Sequence, residues 1–291
     1  NVNAVNNDNQ TALHLASSLA STEDQDVYKE ITEQLLNKNA KPDLQDNFKN
    51  TPLIYAAHEN NEKIVNTLLE NQTDATIQNE NGKTALHYAT QEQNPQTVTM
   101  LIDNNPDLIN IPDNQGNNAL HIAASLTPQP NQNKEEFANN VASIMNALLP
   151  PDQPTNQDVY LDQNEQGNNP LHQAAINKNN IALDHILNHV ETHVTTINNN
   201  DFPIINPKEN ADDQQTQEFK NKLLYSSNKN GQTAAELIYE NKKQINMEFT
   251  HAIAFNNPKQ IESLIKEGIN PNKPLINGKY PLEEAIDYSA G

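Results

Sequence analysis

The sequence predicts a repeat array, a one-dimensional stack of short similar units, and three observations predict it. A seven-residue motif recurs seven times along the 291 residues. Five of only seven glycines stand two residues ahead of a motif start. The composition is 35% hydrophobic, with a formal net charge of −20, 50 asparagines and 23 glutamines. That balance is too polar for one large globular core and leans toward disorder. A stack needs only a thin core per unit, because each unit buries its neighbour's apolar face. Repetition and low hydrophobicity are therefore compatible.

The motifs read TALHLAS from Thr11, TPLIYAA from Thr51, TALHYAT from Thr84 and NALHIAA from Asn118. NPLHQAA from Asn169, TAAELIY from Thr233 and YPLEEAI from Tyr280 complete the series. Successive starts lie 40, 33, 34, 51, 64 and 47 residues apart. Gly82, Gly116, Gly167, Gly231 and Gly278 precede five of them and suit a turn that needs positive φ. The two earliest motifs lack that glycine. Thr or Asn at the first slot can cap a helix, worth ~1 kcal/mol over alanine. Pro52, Pro170 and Pro281 fall in a first helical turn, where a missing N–H costs nothing. Leu13, Leu53, Leu86, Leu120, Leu171 and Leu282 fill the third slot. Ala16, Ala56, Ala89, Ala123, Ala174 and Ala285, three residues later, let helices approach closely.

A second apolar set follows at fixed offsets. Ile64, Val65, Leu68 and Leu69 lie 13, 14, 17 and 18 residues after Thr51. Val98, Leu101 and Ile102 keep three of these offsets after Thr84, as do Leu183, Ile186 and Leu187 after Asn169. Ile31, Leu35 and Leu36 fit after a shift of seven, and Ile144, Met145, Leu148 and Leu149 after a shift of thirteen. Motif and offsets together resemble the ankyrin repeat, whose unit of about 33 residues opens with T-P-L-H-x-A. The resemblance implies an all-α solenoid of paired antiparallel helices with hairpin loops, about six to seven units long, some carrying long inserts.

The offsets place the inserts near 18–26, 127–133, 150–158 and 195–226. Within the last, 198–210 reads as loop and 214–225 as a short helix. The array is expected to occupy 1–245, with degenerate ankyrin-like units over 246–291 and a bend near 242–246. There, 247–255 and 258–266 read as a helix pair ended by Gly268. The opening NVNAVNNDNQ resembles the closing turn of a preceding unit, so a fragment of a longer protein is expected.

Composition and motifs also exclude. Without cysteine there are no disulfides, thiolate metal sites or thiol nucleophile. No apolar run reaches the ~18–20 residues of a membrane span, and no secretory signal opens the sequence. Eighteen lysines against 38 acids, with no arginine, would repel nucleic acid and anionic lipid and favour basic partners. No phosphate-cradling glycine loop, G-x-S-x-G or H-E-x-x-H occurs, and no catalytic residue or cofactor is expected. Asp162-x-Asn164-x-Gln166-Gly167 begins like a calcium loop, but its fifth position is Gln166 and its twelfth is Gln173, so calcium is rejected. His185, His189 and His193, four residues apart, could share a helix face and form part of a zinc site. The competing reading is a solvated face with Ile186, Leu187 and Val190 turned inward.

The resemblance implies structural work for His14, His87, His121 and His172, which would bond the helix start and a neighbouring loop. It also implies a concave binding face built from hairpin tips and the exposed side of each first helix. Carried over, this gives Asn47, Phe48, Asn50, His58 and Glu59, then Glu80, Asn81, Lys83, Gln91 and Glu92. Asn114, Gln115, Asn117, Ser125 and Leu126 follow, then Glu165, Gln166, Asn168, Ile176 and Asn177. Phe48 stands out as an aromatic where only a turn is required; packing on an adjacent hairpin is its alternative. Phe202 and Ile204 could anchor the insert along the groove. The expected protein is a monomeric, non-enzymatic scaffold for a partner with a polar or basic surface, cytoplasmic in location. The amide-rich composition resembles arrays in secreted effectors of intracellular bacteria, which would act in host cytosol. The alternative is a recruitment or regulatory region of a larger enzyme.

Overall fold

A computed structural model describes residues 1–19, 25–150, 158–196, 222–254, 257, 259–261 and 264. Among them are five successive helix pairs. They are α1 (Ala12–Ser18) with α2 (Gln25–Asn37), α3 (Pro52–His58) with α4 (Glu62–Glu70), and α5 (Ala85–Gln91) with α6 (Pro95–Asn104). Then come α7 (Ala119–Ser125) with α8 (Lys134–Leu148), and α10 (Pro170–Ile176) with α11 (Asn180–Thr196). A 3-10 turn over Pro106–Asn110, a short α9 (Asp158–Leu161) and a long α12 (Ala234–Ala254) complete the described elements. First helices pack on first helices (α1 on α3, α3 on α5, α5 on α7, α7 on α10) and second helices likewise, which is the contact order of a solenoid.

Each first helix starts where the motif starts. Thr11, Thr51, Asn118 and Asn169 accept the N–H of the residue three on. The second helices have a cap that the motif does not advertise. Asn61, Asn94 and Asn179, ten residues after the motif start, accept from Ile64, Thr97 and Ala182. The residue before each (Asn60, Gln93, Lys178) holds a positive φ to make the turn between paired helices. The core is a strip. Leu13, Leu53, Leu86, Leu120 and Leu171 are buried, with the slot-six alanines beside them and Ile64, Leu68, Val98, Leu101, Ile144, Met145, Leu148 and Ile186 opposite.

The inserts are partly helical. α6 begins 11 residues after its motif start and α8 begins 16 after its own. Five of the thirteen inserted residues therefore lengthen the loop and eight extend α8 backwards, where Phe137 and Val141 are buried. Of the 195–226 insert, α11 takes the start as far as Thr196, and residues 222–225 form a helical turn with Leu223 buried. The rest of that insert, with Phe202, Ile204 and the 198–210 segment, lies outside the described residues. One expectation is corrected. No bend falls near 242–246, because α12 runs unbroken through it, an uninterrupted stretch free of glycine and proline. Beyond it Leu264 packs against Ala252.

Unit one has an internal flaw. Ser17 Oγ and Thr32 Oγ1 are buried with no hydrogen-bond partner among the described residues. Later in the array the Ser17 slot holds Ala57, Ala124 and Ala175, with Thr90 bonded to Leu86 O as the exception, and the Thr32 slot holds Val65, Val98, Met145 and Leu183. Ser17→Ala and Thr32→Val are each expected to raise stability by ~1 kcal/mol, the desolvation cost of an unpaired hydroxyl. A higher urea midpoint for each variant checks this.

Candidate functional site

The hairpins that present the candidate residues are built by one side chain each. Five residues before successive motifs stand Asn6, Asp46, Asn79, Asp113, Asn164 and Asn228. Each side-chain oxygen accepts the backbone N–H groups two and four residues on. For Asp46 these are Phe48 and Asn50, both at 2.9 Å, and for Asn79 they are Asn81 and Lys83, both at 3.0 Å. The other four repeat the pattern. These are Asx turns, with the side chain standing in for a backbone acceptor. The last turn residue has φ between 59° and 78° at Asn9, Lys49, Gly82, Gly116, Gly167 and Gly231. So the two hairpins without glycine adopt the same turn with Asn9 and Lys49.

Adjacent tips are joined through the main chain. Asn47 donates to Asp8 O, Glu80 to Phe48 O, Asn114 to Asn81 O, Glu165 to Gln115 O and Lys229 to Gln166 O, at 2.8–3.0 Å. Side-chain amides add a second rail. Asn79 donates to Asn50 Oδ1, Asn164 to Asn117 Oδ1 and Asn228 to Asn168 Oδ1. The tips thus form a continuous rigid ladder along one edge of the array.

The four motif histidines rivet this ladder to the helices. Nε2 of His14, His87, His121 and His172 donates to the carbonyl of Asn50, Asn117, Asn168 and Gln232 respectively, each just before the next motif. In His14 and His87, Nδ1 accepts the N–H of the capping threonine, which fixes a neutral ring. Burial holds all four below the usual histidine range, only partly opposed by the backbone carbonyls they contact, and pushes His121 down to about 4.

A family model for ankyrin repeats matches in three overlapping copies, over residues 1–79, 19–110 and 71–135. Residues 1–135 are ankyrin repeats. Its fold is similar to the crystal structure of an ankyrin repeat domain from Acinetobacter baumannii, with a TM-score of 0.51 at 23% identity. That likeness covers 65% of this chain and 85% of the other. No curated protein matches the sequence. No helix among the described residues is long and apolar enough to cross a membrane.

Within this ankyrin-repeat array the expected face residues fall into two groups. Asn47, Phe48, His58, Glu59, Glu80, Asn81, Gln91, Asn114, Gln115, Glu165, Gln166 and Ile176 are exposed. Asn50, Lys83, Glu92, Asn117, Ser125 and Asn177 are half-buried, and Asn50 and Asn117 belong to the amide rail. Asn168 and Leu126 are buried, a correction to their expected exposure. Asn168 accepts from Asn228 at its side chain and from His121 at its carbonyl, so ladder bonding uses both oxygens. Phe48 is 54% exposed; of its two readings, packing on a neighbouring hairpin leaves more than half of it to solvent.

The motif's fifth slot was missed. It holds Leu15, Tyr55, Tyr88, Ile122 and Gln173, the first of them exposed and the rest half-buried along successive first helices. Two hydroxyls there meet the turn-forming side chains. Tyr55 donates to Asp46 Oδ2 at 2.6 Å, and Tyr88 accepts from Asn79 at 2.9 Å. His58 meets the Tyr88 ring edge-on, with centroids 5.3 Å apart, and Lys83 Nζ lies 5.4 Å over the same ring while donating to Gln91. Two tyrosines in a slot otherwise aliphatic or polar were the available signal.

No group of three or more histidines or carboxylates poised for a metal occurs among the described residues. His185 Nδ1 bonds Ile181 O within its own helix. His189 is buried rather than solvated, correcting the expected outer face. Its Nδ1 meets the Tyr160 hydroxyl and its Nε2 the Pro150 carbonyl, so both ring nitrogens are engaged. The side chain of His193 lies outside the described residues. Asn164, in the rejected calcium segment, spends its oxygen on the hairpin turn.

Proposed function

We propose that this chain is a non-enzymatic scaffold that binds another protein through its hairpin tips and the adjoining side of the first helices. Ankyrin repeats in general mediate protein–protein interaction, and the repeats occupy at least residues 1–135. The observation that carries the reading is Phe48. Its backbone is fully used by the turn and the ladder, while its ring stands 54% exposed on a tip that needs no aromatic. Large aromatic side chains on a rigid support are the usual anchors of an interface.

The partner's surface is polar or basic. Exposed Glu59 and Glu80, half-buried Glu92 and a row of amides support this, as does the net charge of −20. That charge also supports a monomer and disfavours nucleic acid as partner.

A photo-crosslinker placed at position 48 is compared with one at Glu33 on α2, using cell lysate as the source of partners. Capture specific to position 48 is expected, falling about tenfold or more when the nearby array carries Glu92→Lys. In a parallel pulldown, Phe48→Ala with Glu92→Lys is expected to lose the same bands. Equal capture by wild type and the double variant, with both folded, would show that the tip face is not the binding surface.

A further inference from the structure

The third unit departs from the array at two slots, and both departures meet at one ring. The residue just before the motif is Asn50, Asn117 or Asn168 in three other units, each accepting from the next hairpin's turn residue. Lys83 holds that slot in the third unit, and an ammonium offers the rail no acceptor. Lys83 instead lies over the Tyr88 ring, with Nζ 5.4 Å from its centroid. The other departure is in the ninth slot, which holds Leu19, Glu59, Glu92, Leu126 and Asn177 in the five helix pairs. Its two acids belong to the unit before Tyr88 and to the unit of Tyr88 itself.

A chain of contacts joins these groups. Glu59 Oε1 meets His58 Nδ1 at 3.0 Å, and His58 meets the Tyr88 ring edge-on with centroids 5.3 Å apart. Lys83 Nζ donates to Gln91 Oε1 at 2.8 Å, and Gln91 Nε2 donates to Glu92 Oε1 at 3.5 Å. Among the described residues neither carboxylate has a lysine within ion-pair distance. The one cation at this ring therefore rests on a neutral amide, while the two acids of the cluster take no lysine. That arrangement breaks the local pattern of the repeat without a gain in stacking, which is the mark of a functional position.

We propose that the Tyr88 ring is a seat for an arginine side chain of the bound protein, with Lys83 as its occupant until the partner arrives. The inference rests on the tip-face reading above and names what the partner brings to it. A lysine over a part-exposed ring is weakly held, so it swings aside at little cost. A guanidinium is planar, stacks on the ring and donates to carboxylates through paired N–H groups, which a point-like ammonium does not match. Glu59 and Glu92 are its acceptors.

The test probe is N-acetyl-arginine amide, with N-acetyl-citrulline amide as its uncharged counterpart, and the tyrosine ring signals are followed by NMR. Tyr88→Leu assigns the Tyr88 signal, in a slot that Leu15 and Ile122 fill elsewhere in the array. A saturable shift of that signal is expected with the arginine amide and not with the citrulline amide. Lys83→Gln, which removes the resident cation, is expected to tighten arginine binding about threefold or more. Glu59→Gln combined with Glu92→Gln is expected to weaken it about threefold or more. Equal binding of the two amides, a Tyr88 signal unmoved in both wild type and Lys83→Gln, or no tightening in Lys83→Gln overturns the proposal. Capture at position 48 without an arginine response at Tyr88 refutes the seat alone. An arginine response without any capture refutes the wider scaffold reading and not the seat.

Discussion

Gly82→Ala is expected to destabilise the array by about 2–4 kcal/mol, the sum of a left-handed backbone penalty near ~1 kcal/mol and an overpacking cost of ~1–3 kcal/mol. The backbone at Gly82 has φ +73°, which any side chain resists. A Cβ there would sit 2.5 Å from Asn114 Oδ1 and 2.6 Å from Asn114 N. The nitrogen cannot yield, because Asn114 N–H donates to Asn81 O in the ladder. Gly231 has nearly the same φ, +76°, but nothing within 4 Å of its Cβ position among the described residues. Gly231→Ala should therefore cost only the ~1 kcal/mol backbone term. Urea unfolding of the two variants separates the effects, and equal losses would mean that stacking of the hairpins contributes nothing at Gly82.

The second large effect is acid sensitivity well above the carboxylate range. His14, His87, His121 and His172 all have folded pKa values below 6.5 because burial disfavours the charged ring. Above pH 6.5 both states are neutral and stability is fully present. As pH falls below 6.5 the unfolded chain takes up protons that the folded chain refuses, so stability drops until the folded value is reached. For His121, falling from 6.5 to about 4, the loss by pH 4 is about 3 kcal/mol at 1.36 kcal/mol per unit. The other three act in the same direction. Asp26, beside Lys63, and Glu236, the carboxylates held below their usual 3.8 and 4.5, lose their contributions mainly below about pH 4.5. A urea midpoint that declines steadily from pH 6.5 to 4.5, with a shallower slope in His121→Gln, is the expected result. A flat midpoint over that range would contradict the burial of these rings.

Much of the fold was legible because its determinants sit at fixed slots with strong chemical preferences. The Leu and Ala slots, the capping Thr or Asn and the bonding of the motif histidines all emerged where the residue types required them. What stayed hidden was hidden for physical reasons. The turn-forming Asp or Asn five residues before each motif was invisible because asparagine is everywhere in the chain. The helical half of the α7–α8 insert has no repeat counterpart against which its offsets could be aligned. His189 owes its burial to Tyr160 on α9 and the Pro150 carbonyl, 29 and 39 residues away, which helix periodicity does not report. On the candidate face, exposure alone misled at Asn168. The slot is a tip residue in some units and a structural amide in others, depending on whether the next hairpin brings an asparagine to meet it.

The turn hydrogen bond inside each hairpin also governs how the chain ages. Asn81–Gly82 and Asn230–Gly231 are the pairing most prone to deamidation, in which the glycine nitrogen attacks the asparagine side chain, expels ammonia and closes a succinimide ring. That attack requires a deprotonated, freely swinging glycine nitrogen. Here Gly82 N–H is held on Asn79 O and Gly231 N–H on Asn228 O, each at 3.0 Å, in a backbone locked at positive φ. The turn that stacks the units thereby withholds the nucleophile at these two pairs for as long as their hairpins stay closed.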